Sequence, residues 1–244
     1  MDRTGAAAVI IGNEILTAKV ADANGPHLVR RLRDRGIPLL SMAVVPDDVD
    51  AIVEAVASAH RRASHVLTSG GIGPTHDDVT VRAVALALGR PVVRLEEMVR
   101  RIRDHFGERV PAEALRMADA PQGAELWFQE GTWFPILTCD GVHMLPGVPQ
   151  LFRHQLETVL ARLPGAPVHV RCLYLSAAEA EIAGALDSVA LDMPQVSIGS
   201  YPSFDRAIDY SVKVTIEHAD RAPVEEALER VRRALPQGSV LRVE

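Results

Sequence analysis

The sequence predicts an α/β protein: a parallel sheet covered by helices on both faces, followed by a small α+β unit. Three observations carry that expectation. Strand-like and helix-like segments alternate through the first two thirds of the chain, which is the pattern of a parallel sheet with crossover helices. Leu163-Pro164-Gly165-Ala166-Pro167 has the composition of a linker. Beyond it the order becomes β-α-β-β-α-β, the split unit of ferredoxin-like domains. The expected division is therefore 1–163 and 168–244.

Taken in order, Ala6–Ile11 reads as a buried strand, 23–35 as a helix closed by Gly36, and 38–45 as a second strand. Residues 49–62 form an amphipathic helix and 65–68 a third strand. A helix over 79–88 follows, then helices over 95–106 and 111–117. Short strands are expected at 125–128, 136–139 and 142–145, the last two joined by Asp140-Gly141, a two-residue hairpin signal. Leu145-Pro146-Gly147-Val148-Pro149 leads into a helix ending near Arg162. In the small unit, strands are expected at 168–173, 195–201, 209–216 and 239–243, with helices at 177–191 and 222–235.

At 244 residues the chain suits one large α/β domain or a main domain with an appendix. No apolar run approaches the roughly 18 residues of a membrane helix. The N-terminal residues lack the pattern of a signal peptide, so a cytoplasmic location and no membrane partner are expected. A net charge of −6 argues against a nucleic-acid partner, which would need basic patches to displace counterions. The arginine-rich stretches 30–35 and 100–103 read as solvated helix faces. Cys139 and Cys172 are too few for a disulfide framework or a zinc knuckle.

The chemistry concentrates in Thr68-Ser69-Gly70-Gly71-Ile72-Gly73-Pro74-Thr75-His76-Asp77-Asp78-Val79-Thr80, a glycine-rich turn between a strand and a helix. Glycines let the backbone approach an anion, and free N–H groups at the helix start point at it. Ser69, Gly70, Gly71, Gly73 and Thr75 are therefore expected around phosphate oxygens. A Gly-x-Gly-x-x-Gly dinucleotide turn would follow the first strand rather than the third. A triphosphate loop would need a Gly-Lys-Ser/Thr ending, and the only lysines are Lys19 and Lys213.

Carboxylates beside a phosphate repel it unless a cation intervenes. Asp47 follows the second strand and Asp77 and Asp78 the third; these three are the candidate catalytic residues, with Asp47 and Asp78 as ligands for Mg²⁺ or Mn²⁺. Either aspartate of the glycine turn could instead cap the next helix. Glu14 either positions the ligand and its metal or is an ordinary surface residue. Asn24, with Asp22, sits where the first long helix begins and is either a helix-start residue or a ligand contact. Trp133 either stacks on a ligand ring or packs beside its strand.

Several further segments complete a family pattern: Gly12-Asn13-Glu14-Ile15-Leu16, Val45-Pro46-Asp47, Gly131-Thr132, Leu145-Pro146-Gly147-Val148-Pro149 and Ile198-Gly199-Ser200-Tyr201-Pro202. With the glycine turn, their order and spacing resemble the molybdopterin-binding MoaB/Mog superfamily. The resemblance is nearest to the N-terminal part of competence/damage-inducible protein A and to the pterin-binding-like domain of FAD synthases. It implies a three-layer α/β/α domain plus a ferredoxin-like one, and a nucleotide or pterin as ligand. It adds Thr132, Pro146 and Gly147 to the ligand-binding candidates.

In Mog-type proteins the positions of Asp47 and Asp78 serve adenylylation of molybdopterin. In the other two branches the scaffold is associated with metal-dependent hydrolysis of the diphosphate of ADP-ribose or FAD. The resemblance therefore implies a pyrophosphatase, with a non-hydrolytic molybdopterin binder as the alternative, and a homo-oligomer. The chain departs from its relatives at Ala18, where glycine is common, at Trp133-Phe134-Pro135, where Ala-Pro-Gly is usual, and at Leu151, where glutamate is frequent.

Overall fold

The computed structural model describes residues 4–107, 109–205 and 207–244. The chain folds as two compact units, Met1–Gly165 and Ala166–Glu244.

The first unit is built on strand β1 (Ala6–Ile11), all six of whose residues are buried. A short helix α1 (Asn13–Leu16) and helix α2 (Gly25–Asp34) lead to β2 (Leu39–Val45). Helix α3 (Val49–Arg62) then returns the chain to β3 (His65–Ser69). After α4 (Thr80–Ala87) come β4 (Val92–Arg94), α5 (Glu96–Phe106), a 3₁₀ segment (Ala112–Ala118) and β5 (Asp119–Pro121). Strands β6 (Glu125–Trp127), β7 (Ile136–Cys139) and β8 (Val142–Leu145) precede α6 (Pro149–Leu160).

The main sheet runs β2-β1-β3-β8-β7-β6. Its first four strands are parallel and the last two pairings antiparallel. Because β1 is flanked by β2 on one side and β3 on the other, the chain reverses its direction of travel across the sheet there. Crossover connections on either side of such a point leave a crevice at the strands' carboxyl ends.

Burial explains why both faces are covered. Leu28 and Leu32 of α2 and Phe152 and Leu156 of α6 pack on Ala6, Ala8, Leu67 and Leu145. Ile52 and Val56 of α3, Ala83 and Val84 of α4, and Met98 and Ile102 of α5 pack on Ala7, Val9, Val66 and Met144. Strands loaded with apolar side chains on both sides need a helical layer on each, which is the three-layer arrangement expected.

The second unit comprises β9 (His169–Leu175), α7 (Glu179–Asp192), β10 (Ser197–Pro202), β11 (Val212–His218), α8 (Arg221–Ala234) and β12 (Val240–Val243). Its sheet order is β10-β11-β9-β12, antiparallel throughout. That is the split βαββαβ arrangement the sequence predicts. Ile182, Leu186, Val224 and Leu228 close its core over Leu173, Val214 and Ile216.

Several elements differ from expectation. The helix predicted from Ala23 starts two residues later, because the Asp22 carboxylate accepts the N–H groups of Asn24 (2.9 Å) and Gly25 (3.0 Å) and holds the chain in a turn there. Residues 112–118 wind as 3₁₀ rather than α. The short β4–β5 pair has no sequence signal, since each strand is three residues long, too short for a period. Asp140 (φ 46°) and Gly141 (φ 79°) do form the tight hairpin turn. Ala18, where the resemblance leads to an expectation of glycine, lies at φ 55°, in the left-handed region that glycine adopts most readily. No helix among the described residues is long and apolar enough to cross a membrane.

Candidate functional site

The carboxyl ends of β1, β2, β3 and β8 converge on one cavity of about 440 Å³. Each turn that follows one of these strands contributes to it. After β1, Gly12 donates to the Val45 carbonyl (3.1 Å), tying the first turn to the end of β2. The Glu14 carboxylate folds back so closely that a methyl group on Gly12 would stand 2.6 Å from Oε1. After β2, Asp47 Oδ2 accepts the Asn13 N–H at 2.7 Å, leaving Oδ1 unengaged by that bond. The neighbouring Asp48, not Asp47, caps α3 by accepting the Ala51 N–H at 2.9 Å.

After β3 the chain turns through two glycines in the left-handed region, Gly70 (φ 102°) and Gly71 (φ 67°). A side chain at Gly70 would strike the Ile11 carbonyl, and one at Gly71 would strike the Thr80 hydroxyl. These glycines are dictated by space as well as by φ. Thr80 locks the turn: its Oγ1 donates to the Gly70 carbonyl (2.9 Å) and its N–H to the Gly71 carbonyl (3.0 Å).

This revises the cradle expected from sequence. The Gly70 N–H is spent on the Leu145 carbonyl (3.1 Å) and the Thr80 N–H on Gly71, so neither can meet a phosphate. Among the described residues, the N–H groups of Gly71, Ile72 and Gly73 donate to no protein acceptor, nor do those of Gly147 and Val148 at the start of α6. All five residues line the cavity. Unpaired backbone donors on the wall of a cavity are an anion-binding surface.

The acidic wall is formed by Glu14, Asp47, Asp77 and Asp78, all lining the same space. Asp78 Oδ2 accepts the Thr75 N–H at 2.8 Å and, in a short contact, the Thr75 hydroxyl. The same hydroxyl, with Asp77's own N–H and then His76, holds the Asp77 carboxyl below the usual carboxylate range. The single hydroxyl proton points to Asp78, so for Asp77 Thr75 acts as a nearby dipole. Asp77 stays ionised at neutral pH.

The remaining lining is apolar: Ile11, Ile72, Met117, Trp133, Phe134, Val148 and Leu151. Trp133 also packs. Its ring lies parallel to His105, centroids 4.2 Å apart, with Phe106 and Phe134 at its edges. The tryptophan that the sequence leaves between packing and ring contact packs against His105, Phe106 and Phe134 and also forms part of the cavity wall.

Four predicted ligand residues do not line the cavity. Asn24 is buried beneath it, its Nδ2 donating to Ser69 Oγ (2.9 Å) and to the Gly147 carbonyl (2.8 Å). Asn24 and Ser69 thus fasten the glycine turn to the Pro-Gly turn from behind. Thr75 is occupied with Asp78, and the Thr132 hydroxyl with the Gln129 carbonyl (3.2 Å). Pro146, Gly147, Glu14, Gly70, Gly71 and Gly73 do lie on the wall. Met117, Ile72 and Val148 are not foreseen from sequence, because an apolar residue on a helix or turn reads as core. Phe134 and Leu151 stand out there only as departures from the family.

Among the described residues, no three His, Cys, Asp or Glu side chains converge tightly enough to hold a metal ion by themselves. The donors present are hard carboxylate oxygens beside unpaired N–H groups. That set fits a cation completed by ligand phosphates and water, the usual habit of Mg²⁺, and does not fit an all-protein cage.

A three-layer α/β/α unit with a cavity lined by unpaired backbone N–H groups and carboxylates at the switch point, followed by a ferredoxin-like unit, defines the class of protein. Residues 7–165 match the family described as "Probable molybdopterin binding domain", and the chain belongs to that family. Residues 167–244 match the FAD synthase middle domain. A protein of Aeropyrum pernix is 33% identical over 250 residues, covering 94% of this chain and 92% of its own length. One from Archaeoglobus fulgidus is 31% identical over 195 residues, covering 80% and 84%.

A CinA-like protein of Syntrophus aciditrophicus is 35% identical over 209 residues, covering 80% of this chain and 50% of its own. The chain thus matches about half the length of that relative. Among solved structures, CinA from Thermoplasma acidophilum, described as of unknown function, superposes with a TM-score of 0.60 at 29% identity. That match covers 65% of this chain and 97% of the other.

Proposed function

We propose that the cavity binds a phosphorylated, ring-bearing ligand, a nucleotide or a pterin, and hydrolyses the diphosphate of FAD, ADP-ribose or a related dinucleotide with a divalent cation. The observation that carries this reading is that unpaired backbone donors and carboxylates line one cavity. Gly71, Ile72, Gly73, Gly147 and Val148 present unpaired N–H groups, while Asp47, Asp77 and Asp78 present carboxylates to the same space. A pure anion receptor gains nothing from a carboxylate wall. A site for an anhydride with its cation uses both.

In this reading the backbone donors hold phosphate oxygens and the apolar wall of Met117, Trp133 and Phe134 receives the ring. Asp47 and Asp78 hold Mg²⁺ or Mn²⁺ through their remaining oxygens. When bound, such a cation neutralises phosphate charge and lowers the pKa of a coordinated water. Asp77, which lines the same cavity and is ionised at neutral pH, would be the base toward a water on that cation.

The second reading is a non-hydrolytic molybdopterin-binding protein of molybdenum cofactor biosynthesis, supported by the match of residues 7–165 to the family described as a probable molybdopterin binding domain. Incubation with FAD and with ADP-ribose, each with Mg²⁺ or Mn²⁺, separates the two. Release of AMP that falls at least 100-fold in Asp47→Asn and Asp78→Asn supports the hydrolase. Inertness to both substrates with either metal, alongside retained binding, rejects hydrolysis in favour of the binder.

A further inference from the structure

The charge of the cavity wall is one-sided. Glu14, Asp47, Asp77 and Asp78 line it, and among the described residues no arginine or lysine does. One divalent cation cannot balance these carboxylates together with the negative charge of a bound diphosphate, and unpaired N–H groups contribute only partial charges. A phosphate site of this composition calls for a further cation from outside the wall.

Arg116 is placed to supply it. The residue lies near the end of the 3₁₀ segment Ala112–Ala118, directly before Met117, which lines the cavity. Its Nη1 donates to the Pro74 carbonyl at 3.5 Å, and Pro74 directly follows Gly73, another lining residue. The guanidinium is therefore bonded to the glycine turn at the edge of the unpaired donors Gly71, Ile72 and Gly73.

The backbone under Arg116 is fixed, whereas its side chain is loosely held. Ala114 and Ala118 are buried, Leu115 and Met117 pack against the main core, and the Ala118 carbonyl accepts the Leu95 N–H at 2.8 Å. Arg116 itself is exposed and, among the described residues, forms no ion pair, although Asp77 and Asp78 belong to the same turn as Pro74. Arg90, Arg94, Arg100 and Arg101 are by contrast each tied to a carboxylate. The bond to Pro74 is long and engages a neutral carbonyl. A phosphate oxygen in its place gives a charge-assisted bond, roughly twice as strong.

We infer that Arg116 is a ligand-binding residue whose guanidinium leaves the Pro74 carbonyl and closes on a phosphate held at the glycine turn. The inference rests on the reading of the cavity as a phosphate site, and it holds whether or not that phosphate is hydrolysed.

Calorimetric titration of ADP-ribose with Mg²⁺ into the wild-type chain, Arg116→Ala and Arg116→Gln tests this. Glutamine keeps an N–H donor for the Pro74 carbonyl and loses the charge, so a merely structural role survives in it. Without ligand both variants should melt where the wild type does. Both should lose affinity for ADP-ribose on the order of tenfold or more. Millimolar guanidinium should restore part of the affinity of Arg116→Ala, and sodium chloride at the same ionic strength should not.

Wild-type affinity in both variants overturns the inference and leaves the phosphate site standing. A wild type that binds no ADP-ribose, with or without Mg²⁺, overturns the phosphate site and the inference with it. A loss in Arg116→Ala that Arg116→Gln does not share shows that Arg116 only braces the turn, and equal recovery in sodium chloride shows a general salt effect; each rejects the contact. If Arg116→Ala fails to fold, Arg116→Gln decides: weakened binding at an unchanged melting temperature supports the contact, and any other result rejects it.

Discussion

The two units each contain a glycine at the heart of a family motif, and the two glycines do different work. Gly70 ends a parallel strand. The flanking strands β1 and β8, and β2 beyond β1, end at the same level, so the turns after all of them meet in one place, and a side chain there would strike the Ile11 carbonyl. Gly199 lies inside β10, an edge strand of an antiparallel sheet, paired with Thr215. An added methyl there would meet the far end of Tyr201, with Oη at 2.9 Å. Ser200 beside it bonds Glu179 at 2.7 Å. Parallel strands gather motif residues at one rim; antiparallel strands deliver alternate turns to opposite ends.

Substituting both glycines puts this contrast under the greatest strain. Gly70→Ala should lose on the order of 3 kcal/mol of stability, because a positive φ and a backbone clash coincide. It should also abolish ligand binding. A melting temperature within a degree of wild type would mean that the turn is not built as described.

Acid should affect the main sheet next. His143 is buried and its pKa is pushed down to about 3, first by burial, then by the neighbouring His65 and by Arg162. Its ring makes neutral contacts with His65 (3.2 Å) and Thr138 (3.1 Å). The folded state therefore refuses a proton that the unfolded chain binds below pH about 6.5. Stability from this group is complete above pH 6.5 and falls progressively from 6.5 toward 3, by on the order of 2 kcal/mol at pH 5. Urea titrations at pH 7 and 5 should show that loss, and His143→Gln should flatten it.

Asn24→Ala removes the two side-chain bonds that clasp the glycine turn to the Pro-Gly turn and should cost about 1.5 kcal/mol. Although Asn24 does not line the cavity, ligand affinity should drop with it, measurable by calorimetry. Unchanged affinity would show that the two turns hold their positions independently. The smallest effect belongs to Gly199→Ala, under about 0.5 kcal/mol, since Tyr201 is half exposed and can rotate away. Ligand binding should be untouched.

The architecture was legible because apolar periodicity is a local signal. The strands at Ala6–Ile11, Ile136–Cys139 and Val142–Leu145 and the helix Val49–Arg62 fall where their patterns place them. The convergence of Asp47, Asp77, Asp78 and the glycine turn followed from parallel order alone. The sequence could not show how hydrogen bonds are spent. That Gly70 and Thr80 give their N–H groups to carbonyls, and that Asn24 and Ser69 brace the turns instead of lining the cavity, depends on spacing between strands distant in sequence. Met117 and Val148 line the cavity for the same reason: nothing local distinguishes an apolar wall from an apolar core.

The most direct test titrates ADP-ribose into the wild-type chain and into Asp47→Asn, each with and without Mg²⁺. If carboxylates and backbone donors face one another across a shared cation, Mg²⁺ should strengthen wild-type binding at least tenfold. The variant should lose that dependence and, without metal, bind more tightly than wild type because a repulsive charge is gone. An affinity that neither Mg²⁺ nor the carboxylate alters would contradict a cation shared between the two walls.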